Sequence, residues 1–393
     1  MRGVFYLAWR YLTWHRFKTS VLVGAISLVL FLPSGLQLLI NRTAEDMTAR
    51  AIATPLLLGS RGSPVELALN SLYFSEDYPS QLGYLELDRL NETGLVDAIP
   101  LYIRYRARGH AIVGTSLDYF TFRGLEIADG RPLVELGEAV LGAAVAQELG
   151  LSVGDSIISS PETLFDLAGV YPLKMTIVGV LATSHSNDDQ AIFVDLKTAW
   201  IINGLGHGHQ DLNKTDAANV VLSTSDEQVV ANASLVNYNE ITSDNRDSFH
   251  FHGDLSDYPL TAVLPIAGNR KAATLLQGRY LDHPTLQLIE PVKVMDELLA
   301  TVFAVQRYVL FAIAMVAAAT AAVVVLVFML SLRLRRGELL TMTRLGGARW
   351  AITSLMAAEI IIVLIMAATV AAALNLALIL WGDTLLNSLV LRS

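Results

Sequence analysis

Three stretches of the chain are too apolar for water. Residues 20–40 contain no charged side chain, 308–332 contain none, and 351–381 contain Glu359 alone. At about 1.5 Å per helical residue each can cross a hydrocarbon core of roughly 30 Å, so three transmembrane helices are predicted. A signal peptide would have an apolar core of about 7–15 residues before a small-residue cleavage site. The first run is longer, and it passes through Pro33 and Gly35 into a polar helical pattern. The third run, about 46 Å as a helix, is too long for one untilted span and too short for a helical hairpin. It reads as one span with an overhang, followed by an interfacial tail at 382–393 with Leu385, Leu386, Leu389 and Val390 at near-helical spacing.

Between the first two runs the pattern changes. Ala44, Met47 and Ala51 continue a helix beyond the first span until Pro55 ends it, and Val294, Leu298, Val302 and Val305 lead without a breaker into the second. Neither segment has the Gly, Ser or Pro content of a flexible linker, so both read as helical stalks. Within 41–307 short β-branched runs alternate with helical patterns. Residues 139–142 read as a strand, 144–149 as a helix closed by Gly150, and 153–155 as a turn into 156–158. Strands follow at 174–181 and 191–194, and Ser160 with Pro161 and Glu162 reads as a helix start. The predicted fold is membrane α-helical with three spans and a large α+β extracytoplasmic domain inserted between spans one and two.

Charge sets the orientation. Arg2, Arg10, Arg16 and Lys18 precede the first span without an acidic residue. Arg333, Arg335, Arg336, Arg344 and Arg349 face a single Glu338 between the second and third. The excess of positive charge predicts both segments in the cytoplasm and the domain outside. Residues 42–300 hold 17 basic and 34 acidic side chains, the opposite balance. The predicted organisation is a cytoplasmic segment 1–19, span 20–40, a periplasmic domain with stalks 41–307, span 308–332, a cytoplasmic helix 333–350, span 351–381 and a periplasmic tail 382–393. Of 393 residues 53% are hydrophobic and 17% charged, which excludes disorder, and the absence of cysteine excludes disulfides, Cys-ligated zinc and thiol catalysis. Gln37 is the one strongly polar side chain in the first span, which favours an amphiphile over an ion in any cavity that it lines.

The order of parts resembles the MacB/LolC/FtsX-type permeases, the membrane subunits of mechanotransmitting ABC transporters. Arg335, Arg336, Gly337, Glu338 and Leu339, then Arg344, Leu345, Gly346, Gly347 and Ala348, are similar to the coupling-helix pattern of that family. Ala139 to Gly142, Gly154 with Asp155, and Lys174 to Leu181 resemble its outer-domain core. The family has four spans per subunit, whereas this sequence stops about 12 residues past its third. The resemblance implies a bacterial inner-membrane location, pairing with an identical or related permease, an ABC ATPase on a separate chain, and a periplasmic binding or adaptor protein. It implies ATPase coupling through Arg335, Arg336, Glu338, Leu339, Met342, Leu345 and Gly346. Bottom-up, this polar segment with apolar Leu339, Leu340, Met342 and Leu345 can lie in a groove of a cytosolic partner, or it is a plain positive-inside loop.

The sequence contains no G-x-x-x-x-G-K-[ST], G-x-S-x-G or H-E-x-x-H. No catalytic residue and no bound cofactor is therefore predicted in this chain, ATP belongs to the partner, and membrane lipid rather than nucleic acid is the surrounding medium. His207 and His209, and again His250 and His252, sit two residues apart, on the same side of an extended backbone. Such pairs suit an N/O zinc site, with His185, Asp188 and Asp189 as further donors, though solvated loops share the spacing. Ala53 to Ser63, Leu72 to Phe74 and Gly204 to Asn213 resemble a subgroup of these permeases encoded among zinc-responsive bacterial genes, which implies a role in zinc homeostasis. The 59–63 loop reads as a surface turn or an anion nest. The leading expectation is a transporter permease that exports or extracts a lipoprotein, peptide or small molecule. The alternatives are an FtsX-like scaffold regulating a periplasmic partner and a membrane-anchored metal-binding protein.

Overall fold

Eleven strands of one mixed sheet organise the outer unit, Thr48–Glu297, in the computed structural model. The structure describes residues 2–160, 172–208, 221–225, 228–231, 239–337, 341, 344 and 349–390. Along the sheet the order is Asn239–Glu240, Leu173–Leu181, Glu138–Leu141, Ala191–Asp195, His110–Thr115, Val96–Ala107, Ala262–Ala267, Leu57–Ser60 and Leu286–Ile289. Ile127–Gly130 and Ser156–Ile158 pair with Leu173–Leu181 as well. The fold of this unit is α+β.

Local chemistry explains the turns. Arg108 and Gly109 join two antiparallel strands with φ of 53° and 89°, the two left-handed residues that a tight hairpin with the native twist demands. Gly150 closes helix Ala143–Leu149 at φ 63°, a left-handed conformation that glycine adopts without steric penalty. Ser63 caps helix Pro64–Tyr73 by accepting from the Glu66 amide, and Pro64 takes a first-turn position that lacks a bonding partner anyway. The 59–63 segment is the expected surface turn only at Arg61 and Gly62, an exposed bend between strand Leu57–Ser60 and the Ser63 cap. Gly59 is in a strand, opposite Gln287, and the Leu67 side chain occupies the space beside its missing Cβ.

Strands at 138–141, 173–181 and 191–195 and the helix after the first of them agree with the sequence pattern to within one or two residues. The expected helix start at Pro161 and Glu162 lies outside the described residues. Helix Leu196–Ile202 packs on strands Val96–Ala107 and His110–Thr115, and its Trp200 is fully buried. The Trp200 indole donates to Pro259 O at 2.9 Å and meets Tyr84 and Tyr258 edge-on, so its one polar group is satisfied.

The other unit, Met1–Met47 with Leu298–Ser393, is helical. Among the described residues three helices are long and apolar enough to cross a membrane, Arg16–Ile52, Pro291–Leu334 and Thr353–Leu380, whose 18-residue apolar stretches have mean hydropathy 2.1, 2.8 and 2.6. The last belongs to a longer helix, Arg349–Val390, which continues through Gly382 into the segment whose apolar residues stand at near-helical spacing. A separate helix, Arg2–Trp14, packs against it with Ala8, Leu355 and Ala358 buried. Small and hydroxylated residues bring the helices together, as expected where apolar contacts alone give no advantage over lipid. Ser27 donates to Ala367 O at 3.0 Å, and Asn375 donates to Ser34 Oγ at 2.8 Å. Gln37, the polar residue of the first span, accepts from Gln306 at 2.7 Å.

Gly142 has an ordinary φ of −63°, yet a Cβ there would lie 2.4 Å from the carbonyl oxygens of both Asp188 and Asp189. Replacing Gly142 with Ala is therefore expected to destabilise the outer unit by about 1–3 kcal/mol, because backbone must move to admit the methyl group. Chemical denaturation followed by Trp200 fluorescence checks this; an unchanged midpoint would contradict the close approach.

Candidate functional site

Arg335, the first residue of the expected coupling segment, turns into the helical unit. Its Nη1 donates to both carboxylate oxygens of Glu359, at 2.9 and 3.2 Å, and its guanidinium lies 3.7 Å from the centroid of the Tyr11 ring. The two charged side chains are only 13% and 8% exposed. A buried charge requires a partner, and the planar guanidinium can satisfy a carboxylate and an aromatic face together. Beside them Lys18 donates to Ser331 Oγ at 2.6 Å and sits 5.8 Å from the Phe328 ring centroid. Helix Arg2–Trp14, the start of Arg16–Ile52, the end of Pro291–Leu334 and helix Arg349–Val390 thus meet in one polar cluster. Glu359, noted in the sequence only as an interruption of the third run, supplies its negative charge.

Arg336 is exposed. Thr341 and Arg344 are helical and exposed. Glu338, Leu339, Met342, Leu345 and Gly346 lie outside the described residues.

A second cluster, inside the outer unit, has no counterpart in the sequence reading. Arg50 stands in the last turn of helix Arg16–Ile52. Its Nη1 and Nη2 donate to Asp188 at 2.7 and 2.9 Å, its Nη2 also reaches the Tyr119 hydroxyl at 3.1 Å, and its Nε donates to Leu72 O. Tyr119 in turn donates to Asp188 Oδ1 at 2.8 Å, and the guanidinium lies over the Phe74 ring. Arg50, Tyr119 and Asp188 are all buried. Burial alone would push the Asp188 carboxyl up, but hydrogen bonds and charge from Arg50 outweigh it and hold the carboxyl below its ordinary range. The Tyr119 phenol is pushed up to about 12 by burial, so it remains a donor at neutral pH.

Of the four candidate metal histidines the structure describes the side chains of His250 and His252. Strand Gly206–Gly208 pairs antiparallel with Phe249–Phe251, and His207 is in register with His250. The His250 and His252 rings meet edge-on at 4.6 Å, consistent with a shared side of the strand. His250 Nδ1 is 3.0 Å from Ser248 O, and the Tyr258 hydroxyl donates to His252 O. His209 and the His207 side chain lie outside the described residues. Asp188 is committed to Arg50, and Asp189 accepts from the Ser184 amide and hydroxyl and the His185 amide, so neither is available as a ligand beside His185. Among the described residues no three His, Asp or Glu side chains converge on a point that would hold a metal ion. His250 and His252 by themselves do not fit a zinc coordination shell, which takes four ligands.

Residues 21–235 match the family model described as the MacB-like periplasmic core domain. The chain belongs to that family. It is a MacB-type ABC transporter permease. Among solved structures it is similar to the periplasmic region of MacB from Actinobacillus actinomycetemcomitans, with 12% identity over 63% of this chain and 94% of that one at a TM-score of 0.35. The extracellular domain of the noncanonic ABC-type transporter YknZ from Gram-positive bacteria is 12% identical, covering 60% of this chain and 98% of that one at a TM-score of 0.31. No curated protein matches the sequence. A MacB-like permease is a transporter component with an ABC ATPase as its general partner, and its domain family and apolar helices make it an inner-membrane protein.

Removing one member of the buried pair leaves the other charge uncompensated, so Asp188→Asn is expected to destabilise the outer unit of this permease by about 3–5 kcal/mol. Because the folded Asp188 pKa lies below its ordinary value near 3.8, the pair contributes fully above that value. That contribution is lost as pH falls through the folded pKa. Urea midpoints measured from pH 7 to pH 3 should therefore fall less steeply in Asp188→Asn than in the parent chain.

Proposed function

We propose that this permease transmits work across the inner membrane. A separate ABC ATPase docks on residues 333–350, and its nucleotide cycle shifts the second and third spans. Helices Arg16–Ile52 and Pro291–Leu334 relay the shift to a periplasmic domain inserted between spans one and two. The carried substance is a lipoprotein, peptide or small molecule that is exported or extracted on the outer side. A change of conformation requires that the partner bind two states with different affinity, so the docking segment is where energy enters.

The observation that supports this reading is the cluster of Arg335, Glu359, Tyr11 and Lys18. It fastens the beginning of the 333–350 segment to the third span and to the N-terminal helix, so a push on that segment is delivered to several helices. Because Tyr11 and Lys18 take part, the cluster also favours the N-terminus and the 333–350 segment lying on one side of the bilayer, the side that the arginines mark as cytoplasmic. Residues 382–393 then belong outside.

Two measurements test the reading. The chain has no cysteine, so Arg10→Cys and Arg344→Cys each introduce one thiol. A membrane-impermeant maleimide should label both in inverted vesicles and neither in intact spheroplasts; labelling of the two from opposite sides would overturn the topology. An ABC ATPase subunit should co-purify with the chain, and Glu338→Ala with Leu345→Ala should abolish its co-purification while the permease remains in the membrane. Undiminished co-purification would refute docking on this segment.

The register of His207 with His250 favours a further reading, in which His207, His209, His250 and His252 bind zinc and the transporter serves zinc homeostasis. The purified chain should then bind zinc stoichiometrically by elemental analysis, and His250→Ala with His252→Ala should lose it. A metal-free parent chain at micromolar zinc would remove this reading.

A further inference from the structure

Where helix Arg2–Trp14 gives way to helix Arg16–Ile52 there is a cavity of about 140 Å³. Trp9, Leu12 and Met366 form its apolar wall, and Thr13, Arg16 and Ser20 its polar side. We propose that this cavity binds the headgroup of an anionic phospholipid, with the phosphate on Arg16 and the acyl chains along the neighbouring apolar surface. The proposal rests on reading the long helices as membrane spans.

Three observations carry it. First, the cations of this region are not equivalent. Arg335 is satisfied by Glu359 and Lys18 by Ser331, whereas Arg16 is exposed and makes no ion pair among the described residues. An arginine fork is suited to a phosphate, which it can engage through two parallel hydrogen bonds. Second, Arg2, Arg10, Arg16 and Lys18 precede the first acidic residue, Glu45, and the carboxylate of the adjacent cluster, Glu359, is engaged by Arg335. Third, the surroundings are those of a lipid rather than of a free ion. Trp14, next in sequence to the lining residue Thr13, is 84% exposed, and amphipathic indole rings of this kind sit at headgroup level. A dissolved phosphate would gain nothing from Leu12, Met366 and the Trp9 ring. A glycerophosphate group, by contrast, places its phosphate on Arg16 and its apolar continuation on those side chains. At about 140 Å³ the cavity is smaller than a whole lipid, whose chains extend outside.

The test uses the full-length permease, purified in detergent, delipidated and titrated with phosphatidylglycerol or phosphatidylcholine under native mass spectrometry. The expected result is a single phosphatidylglycerol adduct preferred over phosphatidylcholine by about tenfold, the scale of one charge-assisted contact. Arg16→Gln should abolish the preference and Arg10→Gln should retain it. Met366→Trp, which fills the cavity and leaves Arg16 in place, should lose the adduct as well. Equal binding of the two lipids by the parent chain would overturn the site, as would equal losses in Arg16→Gln and Arg10→Gln, which would mean diffuse charge attraction. Displacement of the lipid by millimolar inorganic phosphate would reduce it to a simple anion site and overturn the lipid assignment. Carbonate extraction separates the two levels of failure. Release of the chain from membranes would remove the spanning reading itself, whereas retention without lipid preference would remove only this site.

Discussion

A charged side chain withdrawn from water must be given a counter-charge and enough donors or acceptors to replace its hydration, and this constraint shapes both units of the permease. In the outer unit, Arg50 is held by two contacts to Asp188, one to Tyr119 and one to a backbone carbonyl. In the helical unit, Arg335 is held by Glu359 and the face of Tyr11. Each cluster joins segments far apart in the chain. Apolar burial supplies most of the favourable free energy of such folds and is not directional. The ionic clusters supply the direction, since they select which helix end meets which loop.

The same constraint separates the two solvents that the chain occupies. The outer unit surrounds its sheet with short helices and buries Trp200, Tyr102 and Phe193. The helical unit leaves Phe311, Val316, Val323, Leu326 and Met329 uncovered. An apolar surface of that extent is untenable in water and ordinary in lipid or against another permease subunit. Within it, hydroxyl and amide pairs such as Ser27 with Ala367 and Gln37 with Gln306 take the place of the hydrophobic drive that lipid does not provide.

Much of the fold could be read from the sequence because its signals were local. Three long apolar runs, the Gly150 helix end, and the β-branched stretches at 174–181 and 191–194 each depend on neighbouring residues alone. The candidate sites were less legible. Arg50 is followed closely by the helix-ending Pro55, but nothing in spacing points to Asp188, 138 positions later. Arg335 has the position expected of a docking residue, and only the solitary Glu359 in an apolar run hinted that its charge was needed inside. The carboxylates near His185 fit a ligand pattern on paper, whereas their oxygens are occupied by Arg50 and by backbone and hydroxyl donors.

Asp188 sits where several commitments cross. Its carboxylate holds Arg50 and Tyr119, while its own carbonyl oxygen presses on the one residue, Gly142, that lacks a side chain to resist it. Loss of the Asp188 carboxylate would leave Arg50 without its counter-charge and Tyr119 without its acceptor together. The loop around Asp188 is thus a junction, gripping the end of helix Arg16–Ile52 by its side chain and standing against the start of helix Ala143–Leu149 with its backbone.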